Sequence, residues 1–202
     1  MTTIIHNENK WIQSQSHREL GENWEGDEWI SVPEELAAKA FEYAPWCDLV
    51  IENGVLVDIV PVERPLDDEL RADKLRELSK ACNNTITAGC DVTLIDGTKG
   101  HIALTLEDQM NLSTAKSAVD GGATQYPYHI DGQLCGVFAA ADIITMAQGA
   151  MAHKLYHTTY YNHLAKWVRR CETVAELNVI TYGTALPDDL AEHMAGVLGS
   201  GA

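Results

Sequence analysis

The reactive side chains that crowd most closely in this chain are three histidines, His153, His157 and His163, set in a tyrosine-rich stretch. Positions 153 and 157 fall one turn apart on a helix, a spacing that brings two imidazoles onto one ion. Hydrolysis on that pattern needs a glutamate directly after the first histidine to activate water. Lys154 stands there instead, and its charge opposes a bound cation. His163 comes six residues after His157, off that face of a straight helix. His153 and His157 are kept as a metal candidate, but polar helix positions beside a tyrosine-rich surface account for them more simply. Neither a metal nor another cofactor is expected.

Other groupings lead no further toward catalysis. Cys135 with His129 or His101 would pair a thiol with a base, yet the sequence supplies no third orienting group and no oxyanion donors. Glu107 with Asp108, and Asp188 with Asp189, open expected helices, where dipole and capping effects explain paired carboxylates. Gly97 to Gly100 reads as a turn, and no phosphate-cradling glycine fingerprint is present. The five cysteines, Cys47, Cys82, Cys90, Cys135 and Cys171, include no C-x-x-C pair, so neither a zinc site nor a disulfide framework is suggested. No catalytic residue is expected, and the sequence reads as that of a non-enzyme.

Charge narrows the partners. The formal net charge is −16, and residues 1–70 carry 16 acidic against 4 basic side chains, which leaves −12 in the first third. Such a field repels phosphate backbones and anionic lipid, so neither nucleic acid nor membrane is expected as a partner. No apolar run approaches the roughly 20 residues that cross a bilayer. The first residues also lack the basic head and long apolar segment of a secretion signal.

The elements that must position any site read as α+β. Residues 1–64 form a small N-terminal domain: an irregular strand pair over 4–15, a helix after a Ser31–Glu34 capping pattern, and a hairpin over 47–61 turning at Asn53-Gly54. Residues 65–86 carry Leu66, Leu70, Leu75, Leu78 and Cys82 near a helical period, which predicts a connecting helix with one apolar stripe. Residues 87–198 make a C-terminal domain of two hairpins packed with several helices. Those hairpins turn at Asp96-Gly97 and Asp131-Gly132, pairs expected to supply the positive φ angles of tight turns. A long helix runs from about residue 139 to 168, a Thr173–Glu176 capping box starts a short one, and Pro187 opens the last.

Aromatic residues offer the best contact groups, because tyrosine and tryptophan join a large apolar area to a polar tip. Trp11, Trp24 and Trp29 at the front and Tyr156, Tyr160 and Tyr161 at the rear are the candidate interaction residues, with core burial the alternative for the tyrosines.

Several stretches resemble an uncharacterised domain family of tailed bacteriophages and prophages, found in or beside tail-fibre and tail-fibre-assembly proteins. They are the Leu70–Leu78 helix, Gly-Cys-Asp-Val-Thr-Leu over 89–94, Leu-Thr-Leu-Glu-Asp-Gln-Met-Asn-Leu over 104–112, and Ala-Ala-Asp-Ile-Ile before the histidine-rich helix. Trp-Ile-Ser-Val-Pro-Glu-Glu-Leu over 29–36 and Cys-Asp-Leu-Val-Ile-Glu-Asn-Gly over 47–54 are similar to the opening of small prophage tail-region proteins. The resemblance implies a tail protein at the fibre or baseplate, acting through protein–protein contacts, with fibre or baseplate subunits or further copies of itself as partners. It implies a location in the host cytoplasm during assembly and then in the virion tail. The alternatives are a tail-fibre assembly chaperone absent from the mature virion and, further off, a metal-binding hydrolase.

Overall fold

The fold is α+β. The computed structural model describes residues 2–15 and 29–199, which divide into two units, Met1–Pro65 and Leu66–Ala202. Among the described residues no helix is long and apolar enough to cross a membrane.

In the first unit, β1 (Thr2–His6), β2 (Ile12–Gln15) and β3 (Trp29–Val32) form an antiparallel sheet in the order β2-β1-β3. A single turn of 3-10 helix over Glu34–Leu36 leads into α1 (Ala37–Tyr43). The strands β4 (Cys47–Glu52) and β5 (Val55–Pro61) make a hairpin. Its turn follows from the sequence: Asn53 and Gly54 have φ of 51° and 81°, the two left-handed residues of a type I′ turn. Ile5, Val32, Leu36, Ala40, Cys47, Leu56 and Ile59 close the core of this unit.

The Ser31 capping pattern is corrected here. Ser31 lies in β3 opposite Ile4, and the 3-10 turn begins after Pro33 with no side-chain cap. Proline drives the preceding residue toward extended backbone, so the strand runs up to Val32 and the helical turn starts beyond it.

In the second unit, α2 (Asp68–Ala88) starts at Asp67, whose carboxylate accepts from Leu70 N at 2.8 Å. The stretch expected to connect two domains packs along the longest helix and buries Leu78, Cys82 and Ile86. After it come β6 (Cys90–Thr93), β7 (Lys99–Ile102), α3 (Leu106–Asp120), β8 (Gln125–Tyr128), β9 (Gly136–Ala139), α4 (Ala140–Arg170), α5 (Val174–Asn178) and α6 (Asp188–Gly199). Capping boxes at Thr105 with Asp108 and at Thr173 with Glu176 fix the starts of α3 and α5.

Both Asp-Gly turns differ from expectation, since only the glycine of each is left-handed, at φ 87° for Gly97 and 75° for Gly132. The second hairpin also opens wider than a tight turn: Asp131 and Gly132 sit in a loop between β8 and β9, and Asp131 N reaches across to His101 O at 2.9 Å.

Two hydrophobic clusters share α4. Ile143 and Met146 join Val92, Ile102, Leu104, Leu112, Tyr128 and Ile130 from the hairpins and α3. Further along the same helix, Tyr160, Leu164 and Val168 join Leu78, Cys171, Leu177, Ile180 and Met194.

Candidate functional site

The second half of α4, the segment 182–186 and one face of α6 enclose a cleft of about 450 Å³. Helical spacing builds its walls. Tyr156 and Tyr160 are four residues apart, as are Ala191 and Ala195, and Met194 and Leu198, so each pair stacks on one face. Gly183, at φ 107°, turns the chain so that Tyr182 folds back against α4.

Polar groups at the cleft bond to one another. The Tyr160 hydroxyl donates to Thr184 O at 2.5 Å and accepts from Gly183 N at 3.0 Å. Tyr182 Oη and His157 Nδ1 are 2.9 Å apart, and the Cys82 thiol donates to His157 O at 3.4 Å. Burial raises the pKa of Tyr160, Tyr182 and Cys82. Burial first, and His153 second, lower that of His157. Tyr160, Tyr182 and His157 are therefore uncharged at pH 7, amid Met, Leu and Ala side chains. Such a surface accepts apolar side chains, with Tyr156 standing half exposed at its rim.

The residues singled out in the sequence fall in different places. Tyr156 rims the cleft, whereas Tyr160, which also lines it, is buried in the core beneath. Tyr161 is half-buried on the α2 side, beside Leu75, Arg76 and Ser79. In the first unit Trp11 is 65% exposed, near Pro45. Trp29 meets the edge of His6 at 4.9 Å between ring centres. Trp24 lies outside the described residues.

His153 and His157 lie with ring centres 4.5 Å apart, and each is already engaged. His153 Nε2 donates to Thr85 O at 3.1 Å, which ties α4 to α2. His163 points toward α6 instead and meets His193. Among the described residues no three His, Cys, Asp or Glu side chains come together as a metal site would require. His101 bonds to Asp91 and to Ala88 O, both at 2.8 Å, while His129 stacks on Tyr128, so neither ring is hydrogen-bonded to Cys135. Sequence reading missed Tyr182, His193, Met194 and Leu198. Leu190, Met194 and Val197 recur near a helical period, but that spacing does not tell which element α6 faces or that Met194 would line a cleft.

Residues 69–181, more than half of the chain, match the model of a family described as Domain of unknown function (DUF4376). No curated protein and no solved structure matches.

Proposed function

The chain belongs to this domain family, and for it we propose a non-enzymatic role as a bacteriophage or prophage tail protein that works by protein–protein contact at the fibre or baseplate. One observation carries the contact role: the Tyr160 and Tyr182 hydroxyls and His157 Nδ1 spend their hydrogen bonds within the fold, leaving an aromatic and aliphatic lining open. A surface of this kind gains by covering apolar area and asks little polar matching of its occupant. The phage assignment is supported by the sequence resemblance over 29–36, 47–54, 70–78, 89–94, 104–112 and the run before the histidine-rich helix. On this reading the protein occupies the host cytoplasm during assembly and the tail afterwards.

Mass spectrometry of purified particles, set beside the lysate that produced them, tests the assignment. Stoichiometric recovery in particles supports a tail component. Recovery only with the fibre protein from lysate would make it an assembly chaperone. Absence from both ends the proposal.

A further inference from the structure

The strands of the first unit leave an unusual surface outside. Val50, Ile51, Val55, Val57, Val60 and Val62 are each more than a third exposed, although all are β-branched residues suited to a covered sheet. They cluster on β4, β5 and the residue just after. Among the described residues β4 pairs with β5 alone, whereas β5 also lies against β3 and α1. Among the described residues, therefore, no strand lies beside the other edge of β4, where backbone N–H and C=O groups face outward. A cavity of about 470 Å³ opens at the hairpin tip, lined by Ile51, Val55, Trp29 and Ile30 among others.

Exposed strand edges are usually protected by lysine, which keeps other strands away. Here the nearby exposed charges have the opposite sign. Asp48 stands opposite Val60 and Glu52 opposite Val55, and Glu63 follows the strand. Basic groups described in this unit are occupied locally: Lys39 pairs with Asp58 at 2.7 Å, Arg64 lies over the Trp46 ring, and Lys10 bonds to Asn7 O. A second copy would bring Asp48 and Glu52 against their own kind, and like charges across paired strands repel.

We infer that the free edge of β4 docks an extended segment of a basic partner protein, in which aliphatic side chains alternate with lysine or arginine. The partner strand would complete the backbone pairing of β4. Its aliphatic groups would pack beside Val50 and Ile51 while its cations meet Asp48 and Glu52, the charges on β4 itself. This surface belongs to the first unit, not to the cleft, and the inference does not depend on the phage assignment.

The test titrates the full-length protein, labelled with ¹⁵N, with a capped peptide of alternating lysine and valine, and separately with its glutamate–valine counterpart. The lysine peptide should shift the amide signals of residues 48–52 and slow their hydrogen exchange, while the glutamate peptide leaves them unchanged. Asp48→Lys combined with Glu52→Lys should weaken the lysine peptide about tenfold. Val50→Thr should weaken it as well. All three positions are exposed, so an unchanged melting curve verifies the fold. Equal responses to the two peptides, shifts confined to other regions, or sedimentation as a dimer with β4 amides already protected would each overturn the inference.

Discussion

His163 Nε2 lies 2.9 Å from His193 Nδ1, so an imidazole–imidazole hydrogen bond joins the C-terminal part of α4 to α6. Its polarity can be worked out. His163 Nδ1 is 2.7 Å from Thr159 O, and a carbonyl only accepts, so Nδ1 carries the proton. In the neutral ring Nε2 is then the acceptor, and His193 donates from Nδ1. With both rings doubly protonated, two donors would face each other and the link would be lost. The Arg170–Asp189 pair at 2.7 Å is a second tie between these helices, exposed and correspondingly modest.

The two halves of this bond should respond differently to truncation. His163 is buried and His193 exposed. His163→Ala should cost about 2–3 kcal/mol, through a cavity and the lost bonds, whereas water replaces much of what His193→Ala removes, leaving about 1 kcal/mol or less. Urea unfolding of the two variants checks the asymmetry. Equal losses would mean that the pair does not anchor α6 as described.

His101 sets a pH dependence of known sign. Both its ring nitrogens face acceptors, first Ala88 O and then Asp91, and these raise its pKa above the ordinary value. A raised folded value stabilises the native state fully below the unfolded pKa of about 6.5, and the contribution fades as pH rises through the folded one. Relative to His101→Phe, the parent protein should therefore hold its melting-temperature advantage in mild acid and lose it toward alkaline pH. An NMR titration of His101 with a midpoint at or below the free-imidazole value would rule this out.

Glycine is required to different degrees at two left-handed positions. A Cβ on Gly54 would meet nothing, so Gly54→Ala should cost about 1–2 kcal/mol, the strain of φ at 81° alone. A Cβ on Gly89 would collide with the Ile102 carbonyl, backbone against backbone, where α2 ends beside β7. Gly89→Ala should exceed the Gly54 value by at least about 1 kcal/mol, since overpacking adds to the strain of φ at 97° and ψ at −166°. Denaturant midpoints of the two alanine variants settle the order.

Tyr156 and Tyr160 separate contact from structure. Tyr160→Phe deletes a hydroxyl with two backbone partners and should lose about 1–2 kcal/mol of stability. Tyr156→Ala, at the exposed rim, should shift stability by no more than about 0.5 kcal/mol. If the cleft is the contact surface, it is Tyr156→Ala that should abolish co-purification of the fibre or baseplate partner, while its melting curve stays put.

Local chemistry decided what could be read in the sequence. The Asn53-Gly54 turn, the Thr173–Glu176 box, the run of α4 and the opening of α6 depend on residues within a few positions of one another, and each stood in plain view. Ser31 misled because its spacing to Glu34 fits a cap, while its pairing with Ile4 holds it in β3 and Pro33 keeps Val32 extended beyond it. Tyr160 and Tyr161 are adjacent but point about 100° apart on a helix, and only packing decides which one is buried. His163 and His193 are thirty residues apart, so no periodicity within either helix announces their bond. The valine-rich hairpin was legible as a hairpin. That its outer side stays uncovered was not.

The 31 residues of α4 make a rod about 46 Å long, seated at one end in the hairpin cluster and at the other in the cluster beneath α6. Because both clusters pack on the same helix, melting of either one is expected to loosen the other. The mechanical corollary is that a load taken up among the tyrosines at one end is borne by the hairpins at the other, and heating should undo this whole unit in a single step.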